Sequence, residues 1–277
     1  MRCGTTAARR HCPPVVTVLL PHRDMARYLG AAVGSVLGQD LVDLRLVVVD
    51  DCSPRDDWLA ALRPYAADPR LTVLRTADSV GQARIKNALL PGIASPYVAF
   101  QDADDVSLPG RLRRQVRVLE RGRADLVGCA IEEVDEDGAV LRRRRLPRYG
   151  NLALRLGRLT VLHHPATVVR TAVLDRLGGL DGTTTLGADT DFHLRAGHLF
   201  RLRNLPRVLY RYRIWGRSLT RAPGTGFGSP VREAYTAAMR ERERARRRAR
   251  SPGELAPLLL APPNDRPVEL LPVVLHR

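Results

Sequence analysis

The sequence predicts an α/β protein with a mostly parallel central sheet flanked by helices, followed by a helical or irregular C-terminal extension. Through the first hundred residues, short runs of β-branched and apolar residues alternate with amphipathic helical segments, a pattern typical of βαβ units. Two of the predicted strands end in paired or clustered aspartates. The carboxyl ends of the strands are where open α/β sheets place their ligand clefts.

The predicted elements follow in order along the chain. Apolar runs predict strands at 15–20, 44–49, 71–74, 97–100 and 125–134. Helices are predicted between and after them, at 28–37, 58–65, 81–90, 111–121 and 231–250. The acidic turn at 135–138 is interpreted as a hairpin connection, and residues up to 220 mix short strands and helices.

The charge of the chain is strongly positive. The formal net charge is +16 and comes almost entirely from arginine, because Lys86 is the only lysine. Such a field attracts phosphates, nucleic acid and anionic membranes. The basic blocks at 142–145 and 240–250 are not interleaved with aromatic residues as a single-strand binding platform would be, so nucleic-acid binding is a minor alternative.

The apolar runs and the cysteines indicate the cellular compartment of the protein. No run approaches the roughly 20 apolar residues of a membrane span, and no signal-peptide pattern is present. The four cysteines lack metal-ligand spacing and are expected to be free thiols. We therefore expect a cytoplasmic protein, with peripheral contact between the basic segment 240–250 and the inner face of an anionic membrane as a further hypothesis.

Three carboxylates follow the strand at 97–100, on Asp102, Asp104 and Asp105. Like charges at this spacing repel one another and raise the carboxyl pKa values, and a hard divalent cation relieves the repulsion. Mg²⁺ or Mn²⁺ bound in this way takes further ligands from phosphates and water. A metal–diphosphate site is the resulting hypothesis, and a solvated acidic turn or a structural cation loop is the alternative.

Several segments, taken in order, resemble the inverting glycosyltransferases of family 2. They are 18–24, 47–53, 81–87, 100–105, 163–181, 187–195 and 212–220. The resemblance spans about 15–220 and implies a GT-A nucleotide-sugar fold. It implies transfer of a sugar from a nucleoside-diphosphate donor, with UDP-sugar the expected class, to a hydroxyl of a glycan, a lipid-linked saccharide or a small metabolite. A sugar-phosphate nucleotidyltransferase would instead place a basic Gly-rich loop directly after the first strand, and 21–24 offers none.

On this resemblance the chain divides into an N-terminal disordered segment at 1–13, a glycosyltransferase domain at 14–220 and an extension at 221–277. The domain has a nucleotide-binding part at about 14–108 and an acceptor-binding part at about 109–220. The extension consists of a Gly/Pro-rich linker, a basic helix and a Pro-rich tail.

The resemblance also implies roles on the donor side. Asp50 or Asp51 accepts a hydrogen bond from a uracil-like base, with Pro21 beside it. The alternative is a helix N-cap or an Asx-turn with Ser53. Lys86 supplies positive charge near the base or diphosphate, unless it is merely an exposed lysine on a helix.

For the reaction centre, the resemblance implies that Asp104 ligates Mn²⁺ or Mg²⁺ and that Asp102 ligates it or faces the ribose. Asp105 orients the segment that follows.

On the acceptor side, Asp189 matches the family's catalytic base, with a plain N-cap as the alternative, and Asp191 is a cap or a supporting partner. His163 and His164 are candidates for lining the acceptor pocket, and one exposed and one buried histidine is the alternative.

The chain departs from the family pattern at four positions. Ala188 stands where the family usually has glutamate, and Lys86 stands where it has arginine, whose planar fork lysine lacks. Asp24 replaces an asparagine. Trp215 lies near a histidine that helps many relatives to bind the metal or diphosphate, and an indole cannot ligate a metal. Because Asp102, Asp104 and Asp189 are all present, we expect an active enzyme.

Overall fold

The computed structural model describes residues 14–41, 43–216, 221–222, 224–226, 228–264 and 266–275. The segment expected to be disordered, 1–13, lies outside the described residues, as do Ser218, Leu219 and Thr220 of the last matching segment. Cys52 and Cys129, the cysteines within the described part, are free thiols as expected.

The strands match the predicted runs closely and extend some of them. They are β1 Val16–His22, β2 Leu44–Asp50, β3 Leu71–Thr76, β4 Tyr97–Phe100, β5 Val106–Ser107, β6 Leu126–Val134, β7 Val140–Arg144, β8 Val168–Arg170, β9 Leu202–Arg213 and β10 Leu270–Pro272.

The α-helices lie between and after the strands. They are α1 Ala26–Leu37, α2 Trp58–Leu62, α3 Gln82–Leu89, α4 Arg111–Glu120, α5 Gly150–Arg155, α6 Thr171–Leu177, α7 Ala188–Leu199, α8 Pro230–Arg248 and α9 Pro252–Leu258. The predicted helix at 58–65 tightens into a 3₁₀ turn at Arg63–Tyr65, where Pro64 cannot donate an intrahelical hydrogen bond. None of the described helices combines the length and the apolar character needed to cross a bilayer.

Among the described residues, the strands form one sheet in the order β10-β3-β2-β1-β4-β8-β6-β9-β5, with β7 paired to β6. Strands β3, β2, β1 and β4 are parallel, as the βαβ pattern predicts. Strand β8 runs antiparallel to β4 and β6, so the later half of the sheet is mixed. The acidic turn at 135–138 closes the β6–β7 hairpin as predicted.

Both faces of the parallel half are covered, and side chains alternate across β1. Val18 and Leu20 pack with α1, α2 and α4 in one core, whereas Leu19 packs with α3, α6 and α7 in another. A strand that is buried on both faces reads as a continuous apolar run. In the sheet register, His22 lies opposite Asp50 and Leu19 opposite Phe100, so β1, β2 and β4 end at one edge.

The C-terminal extension packs on the rest of the chain. Leu270 to Pro272 pair antiparallel with β3, with Leu270 opposite Thr76. Met239 of α8 is buried in the core that contains α3, α6 and α7. The predicted division into a domain and an extension stays a prediction, but the tail adds a strand to the same sheet.

Candidate active site

The acidic cluster lies where β4 ends. One ligand atom from each of Asp102, Asp104 and Asp105 lies within 4.8 Å of the others. Burial raises the pKa of Asp102 to about 6; the cation on Lys86 opposes this shift and the charge on Asp104 adds to it. Burial and the neighbouring carboxylates also raise the pKa of Asp105, which is 1% exposed and accepts the Arg213 N–H at 2.7 Å. The cluster is a set of hard oxygen donors, which fits a divalent cation.

Trp215 contacts this cluster directly. Its indole Nε1 donates to Asp104 Oδ2 at 2.8 Å, and its ring meets the Tyr28 ring edge-on at a centroid distance of 5.8 Å. The Arg213 guanidinium covers the same tyrosine ring at 4.5 Å and donates to the Asp104 carbonyl at 2.9 Å. Trp215 therefore cannot ligate a metal but does orient a carboxylate that could. Sequence reasoning missed this contact.

Lys86 is buried on α3, so the alternative of an exposed lysine is wrong. Its side chain is 3% exposed, and its Nζ lies 5.4 Å from the centroid of the Phe100 ring. Burial lowers the pKa of Lys86, and the negative charges of Asp102 and Asp189 oppose this shift. The negative charges of Asp102 and Asp189 therefore both act on this one buried lysine.

Asp50 is buried at the end of β2 with its acceptors already used. The Ser53 hydroxyl donates to its Oδ1, the Ser53 N–H donates to its Oδ2 at 3.1 Å, and Arg75 Nε lies 3.2 Å from Oδ2. This is the Asx-turn arrangement with Ser53 that the sequence left open. Burial raises the pKa of Asp50, which the bonds from Ser53 and the charge on Arg75 oppose.

Asp51 is 6% exposed and holds the segment that leads into α3. Its Oδ1 accepts the Val80 N–H at 2.7 Å and the Thr76 hydroxyl at 3.4 Å. Its Oδ2 accepts the Gly81 N–H at 3.0 Å and the Ser79 hydroxyl at 3.2 Å. The carboxylate thus accepts hydrogen bonds from the residues that lead into α3, and not from the start of α2. These residues lie about 30 positions away, so the spacing of nearby residues does not predict the contact.

Pro21 completes this edge. It is buried in β1 opposite Val49, one residue before Asp50. Beyond it, Asp24 adopts a left-handed φ of 53° and its N–H donates to the Ser53 hydroxyl at 2.9 Å. The turn after β1 and the turn after β2 are therefore tied together, and recognition of a base by Pro21, Asp50 or Asp51 stays a prediction.

Asp189 lies half-buried in the first turn of α7. Gly187, the residue before the helix, has a left-handed φ of +71° that favours glycine, and its missing side chain leaves room for the Tyr235 ring. The Tyr235 hydroxyl donates to the Gly187 carbonyl at 2.6 Å. Burial lowers the pKa of His193 to about 4, and the Asp189 charge opposes this shift. The structure therefore brings Asp189, Lys86 and Asp102 into one electrostatic group.

Asp191 is buried in the first turn of the same helix and forms two ion pairs there. It is 2% exposed and accepts from Arg195 Nε at 2.7 Å and from Arg246 Nη2 at 2.8 Å. The two guanidinium groups hold the pKa of Asp191 below its usual value. Arg246 belongs to α8, so the basic helix faces inward at this point. The sequence signal was the four-residue spacing of Arg242 and Arg246, which places both on one helix face.

His163 and His164 precede β8, and neither is exposed. His164 is 5% exposed and stacks on Phe100 at a centroid distance of 4.0 Å. Burial lowers the pKa of His163 to about 4 and that of His164 well below 6.5. Both rings are therefore neutral near pH 7. The alternative of one exposed and one buried histidine is wrong, and a role for either in an acceptor pocket stays a prediction.

Comparisons with known proteins identify the family of the chain. Residues 17–178 match the model of glycosyl transferase family 2. The putative glycosyltransferase EpsE of Bacillus subtilis is 30% identical over 206 residues, which cover 72% of this chain and 73% of that protein.

Two solved structures share the fold. The mannosyltransferase PcManGT from Pyrobaculum calidifontis, in complex with GDP-Man and Mn²⁺, aligns with a TM-score of 0.61 and 19% identity over 90% of this chain and 69% of its own. S. aureus TarS 1-349, in complex with UDP-GlcNAc, aligns with a TM-score of 0.60 and 21% identity over 72% of this chain and 58% of its own. The chain thus spans less than two thirds of that TarS chain. The family match covers more than half of the chain, and the fold agrees with GT-A neighbours, so the chain belongs to glycosyltransferase family 2.

Proposed function

We propose that the chain transfers one sugar, with inversion, from a UDP-sugar to an acceptor hydroxyl, using Mn²⁺ or Mg²⁺ held by Asp102 and Asp104 and Asp189 as general base. The observation that carries this proposal is the cluster of three carboxylates at the end of β4, with ligand atoms within 4.8 Å of one another; the charges of Lys86 and Asp189 both act on its Asp102. A donor site and a base must lie on either side of one reacting carbon, and these groups share one small region.

On the donor side, the residues present fit a divalent ion. Asp102 and Asp104 offer carboxylate oxygens in a crowded cluster, and Trp215 holds one oxygen of Asp104 in place. A bound ion would neutralise the developing charge of the diphosphate leaving group. Lys86 adds a cation on the same side, and Asp105 is retained by Arg213 as part of the scaffold.

For the base of the nucleotide, we favour Asp51 over Asp50, with Pro21 as a wall of the same pocket. Asp50 is fully buried, whereas Asp51 keeps 6% exposure. A carboxylate offers about four lone-pair sites, and Asp51 already accepts four hydrogen bonds. A base N–H would replace one of the two long hydroxyl bonds, from Thr76 at 3.4 Å or Ser79 at 3.2 Å.

In the transfer step, Asp189 accepts the proton of the acceptor hydroxyl as that oxygen bonds to the anomeric carbon. The bond from this carbon to the diphosphate oxygen breaks on the opposite face, and its electron pair leaves with the nucleoside diphosphate. General-base assistance of this kind contributes about 10²–10⁴ in rate. Bracing of the start of α7 by Tyr235 and Asp191 supports the assignment, because a base must be held in position.

The solved neighbours support a nucleotide sugar as the donor. The neighbour TarS is solved with UDP-GlcNAc and the neighbour PcManGT with GDP-Man and Mn²⁺, so nucleotide-sugar donors and manganese occur on this fold. We propose UDP-sugar as the donor and a hydroxyl of a glycan, a lipid-linked saccharide or a small metabolite as the acceptor.

The test follows donor cleavage by NMR with α-linked UDP-, GDP- and dTDP-sugars, with Mn²⁺ or with EDTA, and with a panel of hydroxyl acceptors. The proposal expects one nucleotide class to react, a β-configured product, and loss of turnover in EDTA. An α-configured product would refute inversion, and undiminished turnover in EDTA would refute the metal. The variant Asp189→Asn should bind donor normally while transfer falls by about 10²–10⁴.

A further inference from the structure

Apolar side chains and arginines form an exposed patch around α5. We call it the α5 patch, and it comprises Arg148, Tyr149, Leu152, Arg155, Leu156 and Arg158. Leu156 is 80% exposed, and Leu152 and Tyr149 are each 57% exposed. Leu152 and Leu156 are four residues apart and lie on one side of the helix, and Tyr149, the residue before the helix, lines the same concavity as these leucines. Large apolar side chains clustered on a surface and rimmed by polar groups mark an interaction site.

The opposite side of α5 is firmly packed, so the exposure is not caused by a loose helix. Ala153 and Leu154 are buried in the core that contains α7. The Asn151 amide nitrogen donates to the carbonyls of Gly197 at 3.0 Å and Phe200 at 2.7 Å. The α5 patch is therefore a fixed feature that displays leucine and tyrosine to solvent.

The segment that carries the α5 patch has charges of one sign. Residues 140–160 contain no aspartate or glutamate. Arg148, Arg155 and Arg158 are exposed and form no ion pair with any residue that the structure describes. The guanidinium groups of Arg148 and Arg203 lie 5.5 and 5.9 Å from the centroid of the Tyr149 ring. A concavity of about 380 Å³ opens among Tyr149, Leu152 and Leu156.

The basic helix α8 is a poorer candidate for membrane contact, although its charge first suggested one. Arg246 pairs with Asp191, Arg242 pairs with Asp181 at 3.1 Å, and Arg247 pairs with Glu243 at 3.0 Å. Its outward side carries acidic as well as basic residues. Much of the α8 charge therefore stabilises the fold, whereas the arginines of the α5 patch have no acidic partner within the part of the chain that the structure describes.

We propose that the α5 patch docks on an anionic phospholipid bilayer. Leu152, Leu156 and Tyr149 enter the boundary between headgroups and acyl chains, and the three arginines contact lipid phosphates. An apolar face bordered by arginine and tyrosine is the chemistry of interfacial segments. Each arginine near an anionic surface strengthens partition about fivefold. Docking would hold the half of the chain that carries α7 against the membrane.

Sedimentation of the full chain with phosphatidylcholine vesicles, with and without phosphatidylglycerol, tests the charge requirement. Binding is expected to the anionic vesicles and to weaken with added salt. The triple variant Arg148→Glu, Arg155→Glu and Arg158→Glu should partition at least ~100-fold more weakly. Absence of binding to anionic vesicles at low salt would overturn the proposal.

A matched control carries the same charge change on the outer side of α8. The triple variant Arg240→Glu, Arg244→Glu and Arg248→Glu replaces three exposed arginines and should keep most of the binding. Equal losses in the two triple variants would show nonspecific attraction by net charge and would overturn the assignment to the α5 patch. Matching thermal melts show that both variants are folded.

Insertion is read directly from a tryptophan placed at the most exposed leucine. In Leu156→Trp, the emission should shift to the blue on anionic vesicles and be quenched by brominated lipid chains, relative to the unmodified chain, whose Trp58 and Trp215 give the background. An unshifted emission would overturn insertion. A concentration-dependent dimer in solution that Leu156→Ser abolishes would show that a second copy, and not a bilayer, covers the α5 patch.

Discussion

Replacing Asp191 by alanine should destabilise the protein severely. The carboxylate is 2% exposed and pairs with Arg195, at 1% exposure, and with Arg246, at 5% exposure. Arg195 keeps its bonds to the carbonyls of Leu177 and Gly179, both at 2.9 Å. The bonds from Arg195 Nε and Arg246 Nη2 lose their acceptor, and the two buried guanidinium charges lose the carboxylate that balances them. Leaving a buried charge without its partner costs about 3–5 kcal/mol, a large part of a typical 5–15 kcal/mol free energy of unfolding.

Thermal and urea unfolding measure this loss, and a Tm decrease of roughly 10 °C is expected. Glu241→Ala is the matched control, because it breaks an exposed pair with Arg244 and should change the free energy of unfolding by no more than about 1 kcal/mol. Adding Arg246→Met to Asp191→Ala should recover part of the stability. A loss below about 1 kcal/mol for Asp191→Ala would refute the argument that α8 and α7 are joined through this buried charge.

Two further predictions concern pH and the tryptophan. Burial lowers the pKa of His22 to about 3, that of His193 to about 4 and that of His164 well below 6.5. Below pH 6.5 the unfolded chain takes up protons at these three histidines and at His163 that the folded chain refuses, whereas the raised pKa values of Asp102 and Asp105 act in the opposite direction. Stability should therefore fall from pH 7.5 to 5.5, by about 1.4 kcal/mol for each histidine before that offset; a urea midpoint that does not move would contradict this. Trp215→Phe keeps a ring but removes the donor to Asp104, so Mn²⁺ affinity measured by electron paramagnetic resonance should fall about tenfold, with unchanged affinity contradicting the positioning role.

The parallel half of the fold could be predicted because its signals are local. The apolar run of β1 and the acids that end β2 and β4 each lie within a few residues of one another. Topology then brings the strand ends to one edge, as the rule for parallel strands requires. The same rule predicted that the acidic cluster would lie along the same edge of the sheet as Asp50 and Asp51.

Features formed by distant contacts could not be read in this way. In the sequence, β10 belongs to an irregular Pro-rich segment. It forms a strand because the edge of β3 offers unpaired backbone groups for it to pair with. The bond from Trp215 to Asp104 joins residues 111 positions apart. In the sequence, Arg246 of α8 looks like part of a solvated run of charges, because the acid that it pairs with, Asp191, lies on α7.

The most direct test of the account is a calorimetric titration of UDP, with and without Mn²⁺, into the protein and into Asp104→Asn. Asparagine keeps an acceptor for the indole of Trp215 but removes the negative charge, and Asp137→Asn, on an 87% exposed side chain, is the control. The account predicts that Mn²⁺ tightens UDP binding at least tenfold in the unmodified protein and in Asp137→Asn, and not in Asp104→Asn. Equal affinities with and without Mn²⁺, or an unaffected Asp104→Asn variant, would contradict a metal–diphosphate site at this cluster.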